Sequence, residues 1–304
     1  MVGGYRKGLD GERAAKIMNA WMSLIFMLAP ALVVILVLFA GGLALGLSQS
    51  LGYMPIIGAY GFSLDAYLQL IKSPGFVPSL LLTIFVSVLA TLIAVVLAVA
   101  TALTLRKRFV GKKIVSFLYQ FPLTVPHLVM AVGVLLLVSQ SGLLARAAFQ
   151  VGLIGDSSQF PILVFDDLGI GIILVYVWKE VPFIGLIALA VLQSMGNDYE
   201  EQARTLGANS WQTFRHVLLP LIIPGILPGS IIIFAYVFSS FEVPFLLGKS
   251  FPAMLSVLSY RLYIDVDLDS RPQAMAMSIL IAVFVLILVL FYRRLSQRIL
   301  RRSG

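Results

Sequence analysis

Cysteine is absent from the 304 residues, and histidine occurs twice. Without thiols there is neither a disulfide framework nor a thiolate metal site. His127 and His216 are far apart, and no carboxylates cluster with them, so no metal is expected. Charged residues make up 12% of the chain, about half of the ~25% usual in soluble domains. No Gly-x-x-x-x-Gly-Lys-Ser/Thr loop occurs, which excludes ATP hydrolysis by that route. No internal repeat, low-complexity tract or catalytic constellation stands out, so neither an enzyme nor a cofactor is expected.

Apolar side chains are plentiful. They form 60% of the chain, and the mean hydropathy is +1.00. A membrane-crossing helix needs about 20 mostly apolar residues. Six runs qualify: Trp21–Leu47, Val77–Leu105, Ile114–Val138, Gly169–Met195, Leu221–Leu247 and Gln273–Tyr292. The fold class expected is an all-α membrane protein with six transmembrane helices. The first run is longer than the apolar stretch of a signal peptide and is taken as a retained helix. The longest outer segment on the N-terminal half, Gly52–Gly75, reads as an ordered loop.

Basic residues accumulate on the cytoplasmic side of membrane proteins. With the N-terminus inside, sixteen of the 22 Lys and Arg residues fall in inner segments and five in outer ones. The inner set includes Arg6, Lys7, Arg13 and Lys16 in the first tail, and Arg106, Lys107, Arg108, Lys112 and Lys113 after the second run. Arg204 and Arg215 follow the fourth run, and Arg293, Arg294, Arg298, Arg301 and Arg302 follow the sixth. The net charge of +8 is therefore chiefly a topology signal, with both termini cytoplasmic. These bases suit anionic membrane lipid. They flank the spans and form no interleaved patch, so nucleic acid is not an expected partner.

A polar island separates the fourth and fifth runs. It carries acids early (Asp198, Glu200, Glu201), Gly207 at its middle, bases late (Arg204, Arg215, His216) and Pro220 where the next apolar run begins. The expectation is two short helices around a turn. The first would cover Asn197–Leu206, capped by Asn197 or Asp198, with the acids on its dipole. Gly207 would take the left-handed backbone that reverses the chain. The second, Ser210–Leu218, would start on a Ser210 cap.

The island resembles the signature loop of permease subunits in binding-protein-dependent type I ABC importers. That pattern is Glu-Ala-Ala, three residues, Gly, nine residues, then Ile-x-Leu-Pro. Glu201, Gln202 and Ala203 match the triplet, Gly207 the glycine, and Val217-Leu218-Leu219-Pro220 the close. Gln202 and Val217 depart from it mildly. Trp178, Pro182-Phe183 and Leu192-Gln193 also look like the family's approach to the loop, and Phe62-Ser63-Leu64-Asp65-Ala66-Tyr67 resembles a phrase carried before its core.

The resemblance implies a five-helix permease core at 77–292 with a cytoplasmic coupling-helix loop. A cytoplasmic tail at 1–20, a first span with periplasmic loop at 21–76, and a basic tail at 293–304 would complete the chain. The implied partners are two ABC ATPase subunits, a second permease subunit that is homologous or identical, and an extracytoplasmic substrate-binding protein. In the inner membrane, Glu200, Glu201, Ala203, Leu206, Gly207, Ala208, Phe214 and Pro220 would form the ATPase-coupling loop. Glu201 would meet a basic residue of the ATPase, while Leu206, Ala208 and Phe214 would supply apolar contact. The rival within the loop is a solvated connection with no partner.

Ionisable groups at membrane depth usually face a cavity or a partner. Lys179 and Glu180 lie in the fourth run, and Glu242 in the fifth within Ser239-Ser240-Phe241-Glu242-Val243-Pro244. The proline and paired serines point to a broken or kinked helix there. Candidates for a translocation pathway are Glu242, Ser239, Ser240, Glu180, Trp178 and Tyr236. The alternatives are inter-helix bonding, such as Glu242 with Lys179, and plain aromatic packing for Trp178, Tyr176 and Tyr236. His127 reads as a hydrogen-bonded helix residue. Asp265, Asp267 and Asp269 read as a solvated loop or a contact surface. The phrase from Phe241 to Gly248 looks more like the polyamine, iron or thiamine branch than the sugar branch, and a lone intramembrane acid favours a small organic cation such as a polyamine. The rival of another class is a secondary transporter driven by an ion gradient, with Glu242, Glu180 and Lys179 as a proton relay.

Overall fold

A computed structural model describes residues 18, 21–55, 58–196 and 198–300, side chains excepted at 292 and 295–300. The first tail with Arg6, Lys7, Arg13 and Lys16, the candidate cap Asn197, the side chain of Arg298, and Arg301 and Arg302 lie outside the described residues. Among the described residues the chain is helical, with only an isolated bridge between Met54 and Ala59. Six segments are long and apolar enough to cross a membrane, as expected.

Helix α1 is Trp21–Ser50. The Gly52–Gly75 segment, expected as a loop, holds a short helix, α2 (Asp65–Lys72). Helix α3 is Phe76–Leu105. The third run departs from expectation. Ile114–Val138 is two helices, α4 (Lys112–Thr124) and α5 (His127–Val138), with Val125 and Pro126 between them. Pro126 disfavours the helical region for Val125, which is extended at φ −86°, ψ 129°. The long apolar segment instead runs His127–Gln150, through α5 and α6 (Leu143–Gln150). Helix α7 is Ile170–Ser194, and α8 is Asp198–Thr205. The fifth segment, α9, is Ser210–Ser239. It starts eleven residues before the expected Leu221, so the second short helix of the polar island is the foot of this span. The expected break is present: α9 stops at Ser239 and α10 begins at Glu242, covering Glu242–Leu247. Then follow α11 (Leu255–Tyr263) and α12 (Arg271–Leu300).

The bundle is built on α3, α7 and α9, and the α3–α7 interface is the most extensive. Apolar burial drives little association between helices in lipid, so close packing of small residues takes over. Along α3, Val86, Ala90, Ala94, Ala98 and Ala102 recur every fourth residue and are fully buried. That spacing keeps them on one face. On the facing helices small residues repeat the device. A Cβ at Gly225 would lie 2.6 Å from Val191, and one at Gly229 2.9 Å from Ile187. Ile172, Val175, Ile184, Ala188 and Leu192 make α7 the centre of the main cluster, which α5 joins through Met130, Ala131 and Val134. A second cluster joins α2, α11 and α12 to Phe238 of α9. Helix α1 packs on α12, and its most apolar stretch has no buried residue.

At Gly185 a tyrosine side chain occupies the space a Cβ would need. A Cβ there would fall 1.8 Å from the Tyr119 hydroxyl, which donates to the Val181 carbonyl at 3.0 Å and shares a 2.9 Å hydrogen bond with Thr101. Gly185→Ala is expected to lower stability by about 1–3 kcal/mol, the range for overpacking, and to cost far less when Tyr119 is already Ala. Thermal unfolding of the four variants of that cycle measures the coupling. Additive losses would refute the contact.

Candidate functional site: an elbow and an intramembrane polar cluster

The polar island folds as an elbow. Helix α8 places Asp198, Glu200 and Glu201 in its first turn and Arg204 in its last, each complementing the dipole. It ends in a Schellman motif: the Ala208 amide donates to the Ala203 carbonyl at 3.0 Å and the Gly207 amide to Arg204 at 2.9 Å. Gly207 is left-handed, at φ +82°, as expected. The cap of the next helix is a correction, for Asn209 holds that position and Ser210 is the first helical residue. Asn209 Oδ1 accepts from the Gln212 amide and Gln212 Oε1 from the Asn209 amide, both at 2.9 Å. This reciprocal capping box directly follows the left-handed turn, so the elbow bends within a few residues. Phe214–Leu218 then form a π-helical turn within the foot of α9.

The elbow presents a groove of about 530 Å³ between α8 and the foot of α9, lined by Tyr199, Gln202, Leu206, Gly207 and His216 among others. Leu206 is 89% exposed, far beyond the usual for leucine. Glu201 and Pro220 are exposed, Ala208 is half-buried, and Ala203 is buried beneath the groove. Phe214 turns inward onto the main cluster, so the exposed aromatic at this place is Trp211, which the sequence reading missed.

Glu200 has an internal partner. Arg106, just past α3, places Nη1 2.6 Å from Glu200 Oε1, and its Nη2 donates to the Gly196 carbonyl at 2.9 Å. One guanidinium thus ties the first turn of α8, and Gly196 two residues before that helix, to the end of α3. Arg106 had been read only as a topology charge.

Deeper in the bundle, α7 brings three polar side chains to the two helix breaks. The Tyr176 hydroxyl donates to Ser240 Oγ at 2.5 Å, and Ser256 donates to the Ser240 carbonyl at 2.5 Å. Ser240 is therefore buried, whereas Ser239 is exposed and bonded back to Ala235. Glu180 Oε1 lies 3.2 Å from His127 Nε2, so His127, the first residue of α5, is hydrogen-bonded as expected. The His127 ring sits 4.7 Å from that of Tyr236, and Tyr176 meets Tyr236 edge-on at 6.2 Å.

The suggested pairing of Lys179 with Glu242 does not occur. Lys179 Nζ donates to the backbone carbonyls of Pro122, at 3.0 Å, and of Val125. Glu242 is exposed at the start of α10, without an ion pair among the described residues. Trp178, half exposed, takes part in none of these ring contacts. Among the described residues no three His, Asp or Glu side chains gather as metal ligands. Asp265 and Asp267 instead accept from the amides two residues on.

The Arg106–Glu200 link gives a direct prediction. Arg106→Gln or Glu200→Gln should speed amide exchange across Tyr199–Gly207 by about tenfold, in the range for a lost charge-assisted hydrogen bond. The double exchange Arg106→Glu with Glu200→Arg should recover part of the protection. Unchanged exchange in both single variants would show that the link does not hold the elbow.

Comparison with known proteins completes the description. The family model described as "Binding-protein-dependent transport system inner membrane component" matches residues 94–301, more than half of the chain. The sulfate transport system permease protein CysW of Synechococcus elongatus is 26% identical over 172 residues, 55% of each chain. The inner membrane ABC transporter permease protein YdcU of Escherichia coli is 31% identical over 150 residues, 46% of this chain and 48% of that one. The chain thus spans about half the length of the curated relatives it matches. In fold, it resembles a chain of a bacterial ABC transporter involved in the import of the acidic polysaccharide alginate. The TM-score is 0.77, at 22% identity over 94% of this chain and 99% of that one. With its six apolar segments and the elbow between the fourth and fifth, the chain belongs to the family of binding-protein-dependent transport system inner membrane components.

Proposed function

We propose that this chain is the transmembrane permease subunit of an ABC importer, and that it forms the translocation pathway for a small solute. A periplasmic or lipid-anchored binding protein would deliver the solute, and a second permease subunit, identical or homologous, would complete the pore. Two ATPase subunits would supply the energy. The single observation that carries this reading is the elbow. A connection that only linked two spans would have no use for a Schellman stop followed at once by a capping box, or for a leucine 89% exposed beside a groove. Those features suit a plug seated in a cleft of another protein, with α9 as a rigid lever leading from it into the membrane.

The loop residues then divide the work. Leu206 and Trp211 offer apolar contact, Glu201 a free carboxylate, and Gly207 the turn. Ala203 and Phe214 pack inward and fix the shape from below. The bias of basic residues supports a cytoplasmic position for this elbow, both tails and Arg106–Lys113. Glu200 shapes the elbow through Arg106 and is not itself a docking group.

For the solute we infer a small organic cation, such as a polyamine. The support is the sign of the charge at the breaks. Glu180 meets His127, whose ring lies against Tyr236, and Glu242 opens α10 at the second break, while the nearby cation, Lys179, is turned onto backbone oxygens. Aromatic faces and carboxylates together favour a cation. Glu242, Tyr236, Glu180 and Ser239 would line the path, with Ser240 fixing the break behind them and Trp178 at its margin.

Reconstitution tests both parts. In liposomes with the cognate ATPase and binding protein, import should require internal ATP and survive an uncoupler; import that follows the ion gradient without ATP would overturn the assignment. Gly207→Asp should abolish import. Gly207→Ala, which meets nothing within 4 Å and strains only the backbone, should retain most of it. Wild-type import by Gly207→Asp would remove the docking claim. Glu242→Gln should slow uptake of a polyamine at least about tenfold if a charge contact of ~1.4 kcal/mol is lost in the transition state. A binding protein whose melting temperature rises with anions or sugars and not with polyamines would refute the cation reading.

A further inference from the structure

Lys179 is buried in α7 and makes no ion pair among the described residues. Its ammonium faces three backbone oxygens at the gap between α4 and α5. Those of Pro122 and Val125 accept its hydrogen bonds, and that of Leu123 lies 3.5 Å away. These carbonyls need a donor for a local reason. At a helix end the last carbonyls lose their amide partners. Here the extended Val125 turns the chain away, and Pro126, with no N–H, cannot supply one. The Val125 amide reaches Pro122 alone, at 3.3 Å. In hydrocarbon no water would take its place.

The geometry has the chemistry of a cation site. Three oxygens converge where the α4 dipole is negative, and a primary ammonium has three N–H donors to match them. One turn earlier on the same face of α7, Tyr176 serves the other break through Ser240, and the next residue, Glu180, meets His127 just beyond the gap.

We propose that Lys179 is a tethered cation in a carbonyl site, and that its charge sets the angle between α4 and α5 and so holds His127 against Glu180. It is a positioning residue, and this role stands whatever solute the chain moves. It also follows that the site, once vacated, binds a free primary ammonium ion.

The chain has no cysteine, so a nitroxide pair at Ile114→Cys on α4 and Leu136→Cys on α5, both exposed, reports the angle in the full-length protein in nanodiscs. The wild type should give one narrow distance. Lys179→Met, which keeps bulk and removes charge, should lose it. Lys179→Ala should also lose it, and ethylammonium should restore it in a saturable way, whereas tetramethylammonium, with no N–H, and ethanol, with no charge, should not. A narrow wild-type distance in Lys179→Met would overturn the proposal. So would a failure of ethylammonium to restore Lys179→Ala, or equal restoration by tetramethylammonium. If the alanine variant does not fold, the methionine variant decides alone.

Discussion

A carbonyl that loses its helical partner inside a membrane has no water to turn to, and the rest of this structure is arranged around that constraint. Two of the apolar runs of the sequence are interrupted: Ile114–Val138 at Val125-Pro126, and Leu221–Leu247 at Ser240-Phe241. Side chains of one helix, α7, reach both interruptions, and at the second the freed Ser240 carbonyl is met by Ser256 of α11. Lys179 covers the carbonyls of the first, and Tyr176 takes the serine of the second, with Ser256 closing on the same residue from α11. A helix that runs continuously from Ile170 to Ser194 between two broken ones can bring side chains to both breaks.

That role requires α7 to be held firmly. The row of small residues on α3 and the glycines of α9 let three helices approach until side chains interlock with backbone. Such packing leaves little room for sliding. The pieces beyond the breaks, α5 and α10, begin with His127 and Glu242, so polar groups sit where the helices are interrupted.

The elbow follows the same logic at the end of the bundle. Its shape depends on local stops, a Schellman turn at Gly207 and a box at Asn209, and its placement depends on one long-range link, Arg106 to Glu200. The helical run from Ser210 to Ser239, with a π turn at Phe214–Leu218 and prolines at Pro220, Pro224 and Pro228, joins it to the second break. A push on the elbow would therefore reach Ser240 along a single helix. This is the mechanical content of the proposed coupling.

The apolar runs, the glycine turn and the serine–proline break were legible in the chain itself, because hydropathy, backbone freedom and helix-breaking are properties of neighbouring residues. The family pattern from Glu201 to Pro220 was legible for the same reason. The Val125-Pro126 gap was passed over within an apolar run, since hydropathy does not register a break that leaves the composition unchanged. Asn209 and Ser210 are both good caps, and the choice fell to the one whose partner, Gln212, lies three residues on. The partners of Lys179, Glu200 and His127 were decided only by the tertiary structure. Each is at least 53 residues distant in sequence, and which charge meets a carbonyl, a guanidinium or a ring depends on how α3, α5 and α7 pack, not on anything beside it in the chain.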